Sequence, residues 1–371
     1  MVEHDNVVDM TDDELMEYYK YHKQQESLKN GGQLTRKILL NSQYGALANI
    51  HFCMFDLRLA ESITKQGQLA IRWAGDWVNI ALNRMLKSEK VDYVTYTDTD
   101  SIYVCLDEVV KRKGYADKET AEVVAMLDDF CENKMQPIID RGYDELQKHC
   151  NSFSQKMVMA REVISDNAVF CSKKRYALSV WNSEGVAYDE PYIKTLGLDV
   201  VKSSTPEVVR GAMKKTIELM LNHTERDVQA YIKEFRQEFN KQKPEDIAFP
   251  RGVNGMEDKY CDVNGNWLDG KTVPINSRAA ITHNKAIRDY GLDLREILAG
   301  DKIKYIHLEE PNKLRQNVIG FSDTLPPEFD IHKKVDWDLM YEKTYLKPMR
   351  DMIELIGWKV KPVATLDSFF G

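Results

Sequence analysis

No two of the six cysteines, Cys53, Cys105, Cys131, Cys150, Cys171 and Cys261, are close in the chain. The paired spacing of a zinc knuckle is therefore missing. The cysteines read as small buried hydrophobes of a reducing compartment. The N-terminus has no basic stretch leading into an apolar one, and no apolar run approaches the roughly 20 residues of a membrane span. Positive charge is not in excess either: 51 Lys and Arg stand against 59 Asp and Glu, a formal net charge of −8. Composition alone does not advertise nucleic-acid binding. The acid is unevenly spread, however. Residues 1–30 hold eight acidic and three basic side chains, and the remainder is close to neutral, so a basic groove on one face stays compatible with the total. These absences leave the expectation of a soluble cytoplasmic protein. Its 371 residues suffice for a substantial core in two or three subdomains.

What is present centres on Tyr96-Thr97-Asp98-Thr99-Asp100-Ser101-Ile102-Tyr103. Val91, Tyr93 and Val94 precede it, and Val104 follows. β-Branched and aromatic flanks predict two short strands joined by a tight turn, with Asp98 and Asp100 at its tip. Hard carboxylate ligands on a rigid turn suit Mg²⁺, which takes one or two protein carboxylates and keeps water and phosphate in the rest of its shell. Asp and Thr are also ordinary turn residues, so the string alone leaves both readings open.

A second string is Lys37-Ile38-Leu39-Leu40-Asn41-Ser42-Gln43-Tyr44-Gly45. Helical spacing puts Lys37, Asn41 and Tyr44 on one face. A cation, an amide and a phenol there suit a triphosphate, a sugar and a base edge. An amphipathic helix with a solvated Lys and a C-capping Gly is the plainer alternative.

Taken with Lys173-Lys174-Arg175-Tyr176 further on, these strings resemble the family B DNA polymerases, and within them the bacteriophage replicative branch. They match the second and third polymerase motifs and the Lys-Lys-x-Tyr motif, in family order. Leu196-Gly197-Leu198, Lys202 to Pro206 and Tyr341 to Pro348 add to the likeness, which runs from about Gln33 to the C-terminus. The first motif, Asp-x-x-Ser-Leu-Tyr-Pro-Ser, does not occur, nor does an exonuclease Asp-x-Glu domain. The resemblance therefore implies the C-terminal part of such an enzyme, either a fragment or one chain of a divided polymerase. The implied fold is α+β: a partial fingers over residues 1–45, a palm over 46–204, a mostly helical thumb over 205–360, and a tail over 361–371.

The resemblance also implies roles. Asp98 and Asp100 hold two Mg²⁺ ions. Lys37, Asn41, Tyr44 and Thr99 meet the incoming dNTP. Ser42, Gly45, Lys174, Arg175 and Tyr176 meet primer-template DNA. An N-terminal chain with the exonuclease and the first motif completes the site. Leu366, Phe369 and Phe370 form an aliphatic-aromatic anchor similar to a sliding-clamp peptide; covering the thumb's own core is its alternative use. A catalytically silent DNA- and clamp-binding module is the other function that would carry these motifs.

Local patterns give further expectations. Thr11 with Glu14 predicts a capping box opening a helix to Leu28, with a break at Asn30-Gly31-Gly32. A stripe of Ile63, Gly67, Ala70, Ala74, Trp77 and Ala81 predicts a helix behind the hairpin. Pro137 should divide a helical region from Glu119 to His149. Lys156 to Val163 reads as a strand, with Glu162 either near the metal site or paired with Arg161. Thr205-Pro206-Glu207 reads as a helix start with a capping hydroxyl, and Thr224 with Asp227 as a capping box. Asn254-Gly255 and Asn264-Gly265 are turn signals. Arg278, Lys285 and Arg288 are candidates for phosphate contact.

Overall fold

The computed structural model describes residues 10–262 and 267–362. The Asn264-Gly265 turn signal and the clamp-type residues Leu366, Phe369 and Phe370 lie outside the described residues. In chain order the elements are α1 (Asp12–Leu47), α2 (Leu57–Leu86), β1 (Val94–Asp98), β2 (Ser101–Val104), α3 (Asp107–Arg112), α4 (Thr120–Phe130), α5 (Gln136–His149), β3 (Val163–Ser172), β4 (Arg175–Ser183) and β5 (Val186–Leu196). These are followed by α6 (Glu207–Asn222), α7 (Glu225–Phe239), α8 (Pro244–Ile247), β6 (Phe249–Gly252), α9 (Glu257–Tyr260), α10 (Ile275–Tyr290), β7 (Lys302–His307), β8 (Val318–Phe321), α11 (Trp337–Tyr341) and α12 (Lys347–Leu355). The strands form three separate antiparallel sheets, β1-β2, β3-β4-β5 and β6-β7-β8. The class is the expected α+β.

The chain divides into two compact units, residues 1–109 with 135–159, and residues 110–134 with 160–371. In the first, α1 opens with the expected capping box: the Thr11 N–H donates to Glu14 Oε2 at 2.9 Å. The expected break at Asn30-Gly31-Gly32 is absent, and α1 is one helix of 36 residues. Two helical glycines cost about 2 kcal/mol together. Nucleating a second helix costs about 4 kcal/mol, so propagation through the glycines is the cheaper course.

Helix α2 is capped by Asp56, whose side chain accepts from the Arg58 N–H at 2.9 Å. Ala70, Ala74, Val78 and Leu82 form its buried stripe. Of the expected stripe, Ala70 and Ala74 are in the core, whereas Ile63 is 49% exposed. α2 meets α5 closely at one point: the Trp73 Nε1–H donates to the Gly142 carbonyl at 2.8 Å. A Cβ on Gly142 would come within 3.1 Å of the Trp77 ring.

The second unit carries the larger core. Met213, Ile217, Phe235, Phe239, Ile306, Phe321 and Tyr345 belong to one buried cluster. Phe235 meets Tyr345 edge-on at 4.6 Å. The Tyr345 hydroxyl lies 2.6 Å from Thr216 Oγ1, and burial pushes its pKa up. α7 opens with the expected Thr224/Asp227 capping box. α6 begins after Pro206 as expected, but Thr205 does not cap it. Its hydroxyl instead donates to the Asp199 carbonyl at 2.8 Å, which fixes the preceding turn. α10 packs on the β7-β8 strands, and a Cβ on Gly320 would come within 3.2 Å of the Ala279 backbone.

Pro137 interrupts its helical region as expected, and Pro348 does so by the same device. A π-helical turn, Cys131–Met135, separates α4 from α5 just before Pro137. Another, Glu342–Leu346, separates α11 from α12 just before Pro348. A missing N–H leaves one carbonyl a turn earlier without its donor, and the wider turn absorbs the fault. The strand expected over Lys156 to Val163 is not formed before Val163. Residues 156–162 pair with no neighbouring strand among the described residues, and a strand exists only through its partner.

Candidate functional site

β1 and β2 pair in the register Thr97↔Ile102 and Asp98↔Ser101, leaving Thr99 and Asp100 as a two-residue loop. Thr99 takes the left-handed conformation, φ 51°, which such short hairpin loops demand. Its hydroxyl donates to Asp98 Oδ1 at 2.9 Å, and the Ser101 hydroxyl donates to the Asp98 carbonyl at 3.2 Å. Asp98 is half-buried and Asp100 exposed. The two carboxylates thus sit at the tip, one braced from below and the other open to an arriving ligand. The Tyr96 and Tyr103 rings, cross-strand partners, lie 5.5 Å apart and stiffen the ladder.

The hairpin's root is held by two amides that the sequence reading passed over. Asn79 Oδ1 accepts from the Tyr93 N–H at 2.8 Å, and its Nδ2 donates to Asp92 Oδ1 at 2.8 Å. Asn83 Oδ1 accepts from the Val91 N–H at 3.0 Å, and its Nδ2 donates to the Val91 carbonyl at 2.7 Å. Ser88 links Asn83 to the Tyr93 hydroxyl. The entering strand is thereby clamped to α2. The signal was available: two amides one helical turn apart, at the end of a helix whose opposite face is apolar.

Lys37, Asn41 and Tyr44 lie on one face of α1. Lys37 and Asn41 line a shallow groove with Leu28, Lys29, Gly32, Gln33, Arg36 and Leu40. The groove holds three cations and no carboxylate, a surface suited to an anion. Ser42 is turned to its own helix, donating to the Ile38 carbonyl at 2.7 Å. Gly45 has open space where a Cβ would stand.

In the second unit, Lys173 and Lys174 form the loop between β3 and β4, with Lys174 left-handed at φ 60°. The Lys174 carbonyl is covered by Gly197, where an added Cβ would lie 2.0 Å from that oxygen. Arg175 Nη2 donates to Asp199 Oδ2 at 3.0 Å, and Lys202 pairs with the other oxygen at 2.8 Å. Tyr176 is 6% exposed, with its ring 5.7 Å from Phe170. Glu162 pairs with Lys194, while Arg161 pairs with Asp128 and Asn182, so the expected Arg161–Glu162 pairing is not formed. Of the three cations on α10, Arg288 pairs with Glu257 and Glu296, and Lys285 lies over the Trp267 ring at 5.1 Å.

Among the described residues no group of three His, Cys, Asp or Glu side chains converges to hold a metal ion. Asp98 and Asp100 offer oxygen donors only, two in number and on one turn. That fits a cation such as Mg²⁺, which leaves most of its shell to water and phosphate, and does not fit a closed protein cage. No helix among the described residues is long and apolar enough to cross a membrane.

Residues 14–128 match the model for DNA polymerase family B. The chain is 35% identical over 358 residues to the DNA-directed DNA polymerase of Enterobacteria phage T4, covering 93% of this chain and 39% of that protein. It is 37% identical over 351 residues to the DNA-directed DNA polymerase of Escherichia phage RB69, covering 91% of this chain and 38% of that protein. A more distant similarity, 22% over 330 residues, is to the DNA polymerase of Desulfurococcus sp. (strain Tok). The chain thus spans about two-fifths of the length of the two phage relatives.

Proposed function

Because the chain is related to one part of the family B DNA polymerases, we propose that it supplies the nucleotide-transfer half of a DNA-directed DNA polymerase working in the host cytoplasm. The observation that carries this reading is the Asp98-Thr99-Asp100 tip, held rigid by Thr99 and by the Asn79/Asn83 clamp. In this reading residues 1–45 belong to the fingers, 46–204 to the palm and 205–360 to the thumb. A second polypeptide segment brings the first motif and the exonuclease. The tail with Leu366, Phe369 and Phe370 reaches a sliding clamp.

The chain's own residues act as follows. Asp100 and Asp98 would hold divalent cations, together with a carboxylate of the second segment. The bound cations supply positive charge to the reacting oxygens. Lys37, with Arg36 and Lys29 beside it, neutralises the triphosphate. Its ammonium can hand a proton to the departing pyrophosphate as the primer 3′-oxygen forms its bond to the α-phosphorus. Asn41 orients the triphosphate, Thr99 lies beside it, and Tyr44 meets the minor-groove edge of the new pair, with Ser42 and Gly45 close by. Lys174, Arg175 and Tyr176 address the primer-template duplex. Asp199 holds the Arg175 guanidinium in place while leaving it half exposed.

The lack of a complete ligand set among the described residues also favours a second reading, a silent DNA- and clamp-binding module. Primer extension separates the two. The chain alone, with Mg²⁺ and all four dNTPs, is expected to give no product. Adding a segment with the first motif should restore synthesis, and Asp100→Ala should remove more than about a thousandfold of it. Turnover near wild type in Asp100→Ala would sink the assignment. DNA binding without synthesis in the reconstituted pair would establish the silent module.

A further inference from the structure

Arg175 follows the β3–β4 loop, and its one carboxylate partner among the described residues stands 24 positions later, on Asp199. Asp199 opens a short 3-10 turn, Asp199–Val201, beyond the end of β5. Leu198, 4% exposed, roots that turn in the core. The Thr205 hydroxyl closes it by donating to the Asp199 carbonyl at 2.8 Å. Gly197, just before it, lies against the Lys174 carbonyl with φ 63°. The turn therefore meets the loop twice, through backbone at Lys174 and through charge at Arg175.

Packing alone does not set the Arg175 side chain. It is 43% exposed overall, and its Nε is buried with no hydrogen-bond partner. It lines a cavity of about 180 Å³ together with Leu198, Met213, Met349 and Met352. A long side chain with free space beside it samples several rotamers unless a bond selects one. That bond is the 3.0 Å contact from Nη2 to Asp199 Oδ2. Asp351 is the other carboxylate of the cavity lining, so a released guanidinium has an alternative there.

We propose that Asp199 is a positioning residue for duplex binding: it selects the Arg175 rotamer that meets the primer-template backbone. The inference rests on the polymerase reading of Arg175. An acid on a DNA-binding surface is unfavourable by charge alone, because it repels phosphate. Asp199 already has Lys202 on its other oxygen at 2.8 Å. Its removal would leave the surface more positive, and a purely electrostatic role predicts tighter binding. Positioning predicts the opposite sign, since a mobile guanidinium must be ordered again each time DNA binds.

Fluorescence anisotropy of the full chain with a primer-template duplex, over a series of salt concentrations, tests this. Asp199→Asn should weaken binding at least about threefold and make the log-log salt slope shallower by about one. Arg175→Ala should do the same. In the Arg175→Ala background Asp199→Asn should cost nothing more, because the two residues act as one unit. A merely structural role would weaken binding equally in both backgrounds, and thermal unfolding followed by circular dichroism would show the lost stability. That result overturns the proposal. Unchanged or tighter binding in Asp199→Asn, with wild-type binding intact, overturns the proposal and leaves the polymerase reading standing. A wild-type chain that binds no duplex overturns both.

Discussion

His307 on β7 shows how one buried side chain sets a condition for the fold. It is 4% exposed, with Nε2 lying 3.2 Å from Lys343 Nζ. Burial first, and then the Lys343 charge, push its pKa down to about 4 from 6.5. The neutral ring accepts from the Lys343 ammonium. The unfolded chain therefore binds a proton between about pH 6.5 and 4 that the folded chain refuses, and stability falls as pH falls through that window. The loss should reach about 2 kcal/mol by pH 5. Urea titrations at pH 7 and pH 5 should show it, and His307→Gln should flatten the difference; an unchanged pH dependence in that variant would exclude the residue as its source. Nothing in the local sequence marks His307 as buried beside a cation, since Lys343 is 36 residues away. Asp98 and Asp100 were legible because their flanking residues dictate a hairpin and only a tip lies between.

At the scale of elements, the hairpin depends on α2 as much as on its own ladder. Each amide of the Asn79/Asn83 pair reads in sequence as a polar residue on a solvated face, and only the fold shows what it grips. Asn83→Ala strips the Val91 N–H and carbonyl of their partners, a cost of about 1–3 kcal/mol. Amide exchange over β1 and β2 should quicken while that in α6 and α7 is unchanged. Equal protection of the hairpin in the variant would show that the clamp is dispensable. Pro137 was read correctly because its missing N–H acts locally. The strand over residues 156–162 was misread because a short apolar run, Met157 to Ala160, cannot supply a neighbour. The break at Asn30-Gly31-Gly32 was misread because a local propensity of a few kcal/mol loses to helix cooperativity.

Across the whole molecule, the two units differ in what they bury. The second has an extensive core around Phe235, Phe239 and Tyr345. The first buries smaller side chains, among them Ala70, Ala74, Val78, Leu82 and Leu146, with Tyr143, and exposes Ile50, Met54, Leu57, Phe153 and Val158. Calorimetry of the isolated chain should show two transitions, the first unit melting at the lower temperature. One transition with equal calorimetric and van't Hoff enthalpies would contradict that. This imbalance was invisible to the sequence motifs, because composition averages over both units. Gly197 carries a consequence of another kind. Its left-handed backbone and the Lys174 oxygen 2.0 Å from any Cβ exclude every other amino acid alike. Any single-base change in its codon that alters the residue introduces a Cβ or a stop. In a mutating genome this position has no neutral missense neighbour, and its codon can drift only through synonymous changes.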